Sequence, residues 1–329
     1  MMNKRKLAGK WVGEIGFGCM NVSHAYSGKL PESDAISLIQ SAYEAGMDHF
    51  DTAALYGFGA NEVVVGKAIK GFRNEILLAS KCGMTGVNGK RVINGHPKTL
   101  HATLDTALKS LQTDYIDLYY LHRIDPDVPV EESVGALGDA VKAGKIGAIG
   151  LSEVSAQTLM RAHQEHPVAA LQTEYSLWTR NAEIAVLEAC KSLNIAFVGF
   201  SPLARGFLSN TFTDISTLDA GDIRCGMPRF QGENWQANRK LYAEFARLAE
   251  QAGCTPAQLA IKWVLAQGDF IHALPGTRIE AHMMENIAAS TLKVSAEVLR
   301  SAGELINQQT VKGPRYPAAA QGDIDTEEF

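Results

Sequence analysis

Short apolar runs alternate with stretches of helical periodicity along almost the whole chain, and this alternation restricts the fold more than any other feature of the sequence. The runs at 12–18, 47–51, 76–81, 116–122, 146–151, 168–174, 196–200 and 270–275 read as eight strands. Helices are expected at 31–45, 61–70, 97–112, 131–143, 155–163, 182–193, 235–252, 256–267 and 282–289. Gly46, Gly71 and Gly144 stop three of them, and Thr255-Pro256 supplies an N-cap and first-turn pair. Residues 4–18 read as a hairpin that runs into the first strand. Strict β/α alternation implies a parallel sheet with right-handed crossovers. Eight units in 329 residues favour closure into an α/β (β/α)8 TIM barrel, with an N-terminal β-hairpin and long loops on the C-terminal rim. An open dinucleotide-binding sheet would want three spaced glycines after its first strand, and Gly16-Phe17-Gly18-Cys19-Met20-Asn21 lacks the third. No linker or low-complexity segment divides the chain, so residues 1–329 are expected to form a single barrel domain.

Composition narrows the class of function. A formal net charge of -5 without a Lys/Arg block argues against a nucleic-acid partner. No apolar stretch approaches the ~20 residues that span a bilayer, so no membrane association is expected. The basic start, Met1-Met2-Asn3-Lys4-Arg5-Lys6, has no apolar core after it and does not read as a signal peptide. Cys19, Cys82, Cys190, Cys225 and Cys254 are scattered and show no metal spacing. They are expected to be reduced thiols in a cytoplasmic protein, with no metal site.

Four residues carry the chemistry. Asp51 and Tyr56 follow the strand at 47–51, Lys81 ends the next strand and His122 ends the one after. Titratable groups at the carboxyl ends of consecutive barrel strands are where a barrel enzyme places its site. Carbonyl reduction needs a hydride donor on one side and a proton donor at the oxygen. A free tyrosine has a pKa of ~10, and a neighbouring ammonium lowers it, so Lys81 beside Tyr56 is expected to make a workable general acid. Asp51 would hold Lys81 in place and His122 would orient the carbonyl. Taken singly, such residues at strand ends are more often structural or solvated than functional; four different chemistries ending three successive strands favour function. Lys81 alone would also suit a Schiff-base aldolase or lyase.

Asp-Thr-Ala-Ala-Leu-Tyr-Gly at 51–57, followed by Asn61-Glu62, resembles the second-strand signature of the aldo-keto reductase superfamily. Lys81 and His122 fall where the rest of its tetrad belongs. Segments 146–152, 200–206 and 274–278, with Glu285-Asn286, resemble its fifth, seventh and eighth strand motifs, in order, across residues 4 to 310. Residues 228–234 resemble the bacterial and plant members with a long seventh loop.

The resemblance implies NADPH-dependent reduction of an aldehyde or ketone, with Tyr56 as general acid and Lys81, Asp51 and His122 in support. It also implies an NADP(H) site: Ser152 and Gln172 on the nicotinamide carboxamide, Phe200 on its ring, and Ser201, Pro202, Leu203 and Arg205 along the pyrophosphate. Gly276, Arg278, His282, Glu285 and Asn286 would surround the adenosine end, and Met20 and Asp51 are further cofactor contacts. Arg278 suits a 2′-phosphate through charge-assisted hydrogen bonds, which favours NADP over NAD. Glu153, Phe200 and His282 stand where many members have Asn, Trp or Tyr, and Arg, respectively. Arg224, in the long loop, is a candidate to fold over the cofactor.

The expected partner is a small carbonyl compound of unassigned identity, and the sequence is silent on oligomeric state. Specificity is expected from rim loops: the glycine-rich loop 82–96, Asn21, Trp178 and the tail from Lys312. An NADP-binding regulatory subunit with little turnover is the alternative, and a Schiff-base lyase using Lys81 a third reading.

Overall fold

The computed structural model describes residues 2–28 and 30–329. Eight parallel strands form its centre: β3 (Phe17–Gly18), β4 (His49–Asp51), β5 (Leu77–Cys82), β8 (Ile116–Leu121), β9 (Ile146–Ser152), β10 (Val168–Glu174), β11 (Ala196–Phe200) and β12 (Ile271–Leu274). Their order is sequential, and the ends meet: Gly16 N–H donates to Ala273 O at 2.9 Å and Gly18 N–H to Pro275 O at 3.0 Å. The sheet therefore closes into the expected (β/α)8 barrel. Strands β1 (Lys4–Leu7) and β2 (Lys10–Gly13) form the N-terminal hairpin.

Strand alternation divides each barrel strand between two cores. Leu77, Ala79, Leu118, Tyr120, Ala170 and Val198 point inward, and Leu7 and Val12 of the hairpin pack against them as a plug. Leu78, Tyr119, Ile149, Leu171 and Phe197 point outward into the helical layer. The inward parity continues upward, so Lys81 follows Ala79 and Gln172 follows Ala170 into the barrel mouth.

The helices are α1 (Glu32–Glu44), α2 (Ala60–Ile69), α3 (Pro97–Ser110), α4 (Val130–Lys142), α5 (Ala156–Glu165), α6 (Val186–Ser192), α7 (Gly232–Gln251), α8 (Pro256–Leu265), α9 (Glu280–Ala288), α10 (Ala296–Leu305) and α11 (Ala318–Gln321). Thr255 and Gln258 close a capping box at the start of α8. The helix expected at 182–193 is broken: a 3₁₀ turn at Asn181–Glu183 precedes α6, because Ala185 leaves helical geometry at φ -150 and ψ -40.

The segment expected to be a loop at 82–96 contains a two-stranded hairpin, β6 (Met84–Val87) and β7 (Lys90–Ile93). Its turn residues Asn88 and Gly89 have φ of 51 and 74. Two consecutive positive φ values are what a two-residue hairpin turn requires, and Asn-Gly is the pair that adopts them at least cost. The long rim segment before α7 is tied down by aromatic packing. Trp178 stacks on Phe207 at 4.3 Å between centroids, and Phe212 stacks on Trp235 at 5.5 Å.

Candidate active site

Asp51, Tyr56, Lys81 and His122 converge at the barrel mouth. Lys81, from β5, is fully buried, and its ammonium donates to Asp51 Oδ1, to Thr52 O at 2.9 Å and to the Tyr56 hydroxyl at 3.2 Å. Three donors thus meet three acceptors. Asp51 is held on its other oxygen by Gln172 Nε2 at 2.8 Å. The Tyr56 and His122 rings meet edge to face with centroids 5.9 Å apart. Tyr56, Asp51 and His122 line a cavity of about 850 Å³, whereas Lys81 lies beneath them, outside its lining.

The local backbone explains how Tyr56 is presented. Gly57 and Phe58 have φ of 57 and 54, so the chain turns through the left-handed region directly after it. Asn61 anchors this loop: it accepts from Thr52 Oγ1 at 2.6 Å and donates to Cys19 O at 2.9 Å and Ser23 Oγ at 2.6 Å.

The electrostatics differ from the sequence expectation at Tyr56. Burial raises its pKa above the ordinary phenol value, and the opposing field of Lys81 only partly offsets this. The phenol therefore stays protonated near neutrality, which is the state a proton donor needs. Lys81 also has a raised pKa: burial works against its charge, but Asp51 and Tyr56 outweigh it. His122 is pushed well below the usual histidine range by burial and then by the positive charges of Arg123, Lys81, Arg91 and His24, so its imidazole is neutral. A protonated phenol and a neutral imidazole edge, side by side over a cavity, form a donor pair for one substrate oxygen.

The remaining expected residues all line the same cavity. Met20, Ser152, Gln172 and Phe200 line it, with Gln172 bonded to Asp51 and Ser152 to Arg123, and Ser201, Pro202 and Leu203 follow β11. Ser201, Ala204 and Arg205 have φ of 51, 49 and 57 although none is glycine. Pro202 has no N–H, and those of Ala204 and Gly206 donate to Ser201 O and Leu203 O within the loop, which leaves the amides of Leu203 and Arg205 without a partner among the described residues, a pair suited to an anion. Gly276, Arg278, His282, Glu285 and Asn286 line the part formed after β12 and by α9. Arg278 donates to Gly28 O at 3.0 Å. The Oδ1 atom of Asn286 is buried without a partner among the described residues.

Trp178 departs from expectation, and three charged residues of the rim are engaged by protein partners. Arg205 lines the cavity, but its guanidinium is taken by Glu174 at 2.7 Å and the Tyr316 hydroxyl at 3.0 Å. Glu153 turns away from the cavity into an ion pair with Arg315 at 2.6 Å. Trp178 is buried in the aromatic cluster and forms no part of the cavity wall, whereas Asn21 and the tail residues Tyr316, Pro317 and Ala320 do. Arg224 lines the cavity and clamps Asp222 through Nε and Nη2 at 2.8 and 2.7 Å, with its guanidinium over the Phe212 ring. Sequence reasoning passed over His24, Arg91 and Arg123, which also line it. The adjacency of Arg123 to His122 was the available signal.

A closed (β/α)8 barrel with this proton-donating cluster on its carboxyl rim defines a barrel oxidoreductase. A profile of the Aldo/keto reductase family matches residues 14–307. The chain is 42% identical to probable aldo-keto reductase 1 from Glycine max over 307 residues, covering 93% of this chain and 88% of that protein. The glycerol dehydrogenase AKR11B4 from Gluconobacter oxydans superposes with a TM-score of 0.85 at 25% identity, covering 96% of this chain and 98% of that one. An aldo-keto reductase from Klebsiella pneumoniae, solved in complex with NADPH, superposes with a TM-score of 0.74 at 25% identity, over 96% and 99% of the two chains. The chain belongs to the aldo/keto reductase family, and with it to the NADP-dependent oxidoreductases. No helix among the described residues is long and apolar enough to cross a membrane.

Proposed function

We propose that this protein reduces an aldehyde or ketone to an alcohol with NADPH, acting as one 329-residue unit in the cytoplasm. The observation that carries this reading is the Tyr56 hydroxyl, held 3.2 Å from a fully buried ammonium and presented to the cavity beside a neutral imidazole. NADPH supplies the hydride. Tyr56 supplies the proton: as charge grows on the substrate oxygen, the phenol O–H transfers its proton to that oxygen. Lys81 stabilises the phenolate left behind, and Asp51 keeps Lys81 charged and fixed. His122 donates a second hydrogen bond to the same oxygen.

The cavity fits the cofactor on its own chemistry. Asn286 Oδ1, an unpartnered buried acceptor, takes the adenine amino group. Arg278 pairs with no carboxylate among the described residues and receives the 2′-phosphate. The amides at the start of α9 face the same end. The amides of Leu203 and Arg205, in the loop after β11, hold the pyrophosphate. Gln172 spends its amide N–H on Asp51, so its carbonyl oxygen accepts from the nicotinamide carboxamide. Ser152 Oγ accepts from Arg123, so its own hydrogen is free to be donated. Phe200 packs on the nicotinamide ring. Lys81, with three acceptors around it and no surface on the cavity, has no free electron pair for imine formation, which counts against the Schiff-base reading.

Fluorescence titration with NADPH and NADH, followed by a panel of carbonyl compounds read as loss of NADPH absorbance, tests the proposal. Tight NADPH binding with turnover is expected. Tight binding without turnover on any carbonyl would shift the reading to a regulatory subunit.

A further inference from the structure

Five arginines line the cavity, at 91, 123, 205, 224 and 278, against only two acidic residues, Asp51 and Glu285. Three of the five are neutralised by carboxylates: Arg91 by Asp323, Arg205 by Glu174 and Arg224 by Asp222. Asp51 is committed to Lys81. Two guanidiniums are left without a carboxylate among the described residues. One is Arg278, whose counter-anion is the cofactor phosphate in the reading above. The other is Arg123, at the opposite end, next to His122.

Arg123 donates only through Nη1, to His122 O at 2.6 Å and Ser152 Oγ at 3.3 Å. Its Nε and Nη2 groups have no protein partner among the described residues, and the side chain is half-buried in the cavity wall. A substrate that fills the site displaces water from these groups and must replace its hydrogen bonds; an apolar substituent would leave a desolvated guanidinium near the buried ammonium of Lys81. A carboxylate answers the need, because a guanidinium presents paired N–H groups in the plane that two carboxylate oxygens match.

We propose that the substrate is a carbonyl compound carrying a carboxylate, and that Arg123 binds that carboxylate while Tyr56 and His122 hold the carbonyl oxygen. This rests on the reductase reading and extends it to a substrate class. Arg123 acts on the non-reacting part of the substrate, so its effect falls on KM more than on kcat.

The test compares 4-carboxybenzaldehyde with its methyl ester, whose aldehyde is the more electrophilic of the two, so that a preference for the acid reports binding and not intrinsic reactivity. For the unaltered enzyme, kcat/KM for the acid should exceed that for the ester at least about tenfold, mostly through KM. In Arg123→Met the ratio should fall toward one; in Arg123→Lys it should fall only part of the way, since charge is kept and the planar fork lost. NADPH titration of Arg123→Met should give an affinity close to that of the unaltered protein. A ratio near one in the unaltered enzyme overturns the inference. So does a ratio that survives in Arg123→Met while NADPH binding weakens, which would assign Arg123 to the cofactor. If neither aldehyde consumes NADPH, the reductase reading is what has failed, and terephthalate binding to the NADP⁺-loaded protein decides the anion site separately. Binding lost in Arg123→Met supports that site, and no binding overturns it.

Discussion

The floor and the rim of the barrel are built by the same strands, only two residues apart, and behave as different materials. On β5, Leu77 and Ala79 face the floor while Lys81 faces the rim; on β10, Ala170 lies below Gln172. The floor is sealed by Leu7 and Val12 of the hairpin and gains its stability from burial. The rim holds an ammonium, a carboxylate, an amide and a phenol whose hydrogen bonds are satisfied almost wholly by one another. A polar layer can be this deep because it is mutually paired, and it can be this fixed because the apolar layer beneath does not yield. The floor should govern whether the chain folds, and the rim whether the folded chain turns over.

The largest expected effect lies on the rim. Tyr56→Phe should reduce turnover by about 10²–10⁴-fold, the usual value of a positioned proton donor, with little change in NADPH affinity or unfolding midpoint. Unchanged turnover on a carbonyl substrate would remove Tyr56 from the acid role. The mirror experiment is on the floor. Leu118 is fully buried in the inner core, and Leu118→Ala should cost about 2–5 kcal/mol in denaturant unfolding while turnover per folded molecule is retained. Equal loss of turnover and stability in that variant would mean that the two layers are not separable.

A smaller effect separates the rim's two ends. Arg278→Ala should weaken NADPH about 10- to 100-fold, the range for hydrogen bonds to charged groups, and NADH much less. Equal losses for both nucleotides would show that Arg278 does not read the 2′-phosphate.

The smallest effect concerns the two histidines within the floor. His49 and His272 are fully buried, with ring centroids 6.3 Å apart, and burial lowers each pKa from 6.5 to about 4. Between these values the unfolded chain binds protons that the folded one refuses, so stability rises with pH there. Their contribution is fully present above about 6.5 and is lost as pH falls toward about 4. The unfolding temperature should therefore drop by several degrees across that window, and His49→Phe should flatten the slope. A slope unchanged by that substitution would place the acid sensitivity elsewhere, away from the floor.

Most of the barrel was legible in the sequence because its cues are local. Apolar runs of period two, helical stripes, Gly stops and the Thr255-Pro256 start each act within a few residues, and eight such units in order leave few topologies. The tetrad was legible for the same reason: a strand end on a closed barrel is already a rim position. The hairpin at 84–93 was within reach too, since Asn88-Gly89 is a turn signal, but the surrounding glycines masked it as a loop.

Other features exist only once distant segments meet. The sequence by itself determined the strand parity that turns Lys81 inward and the placement of Tyr56, Asp51 and His122 around one mouth, because alternation is a backbone property. Only the tertiary structure decided which charges are neutralised. Glu153 meets Arg315, and Arg91 meets Asp323, across 162 and 232 residues of chain, and Arg205 is shared between Glu174 and Tyr316. It also decided that burial outweighs Lys81 at Tyr56, and that Arg123 is left without a counter-ion among the described residues. Charge pairing and desolvation depend on separation and on excluded water, which no local pattern of residues carries.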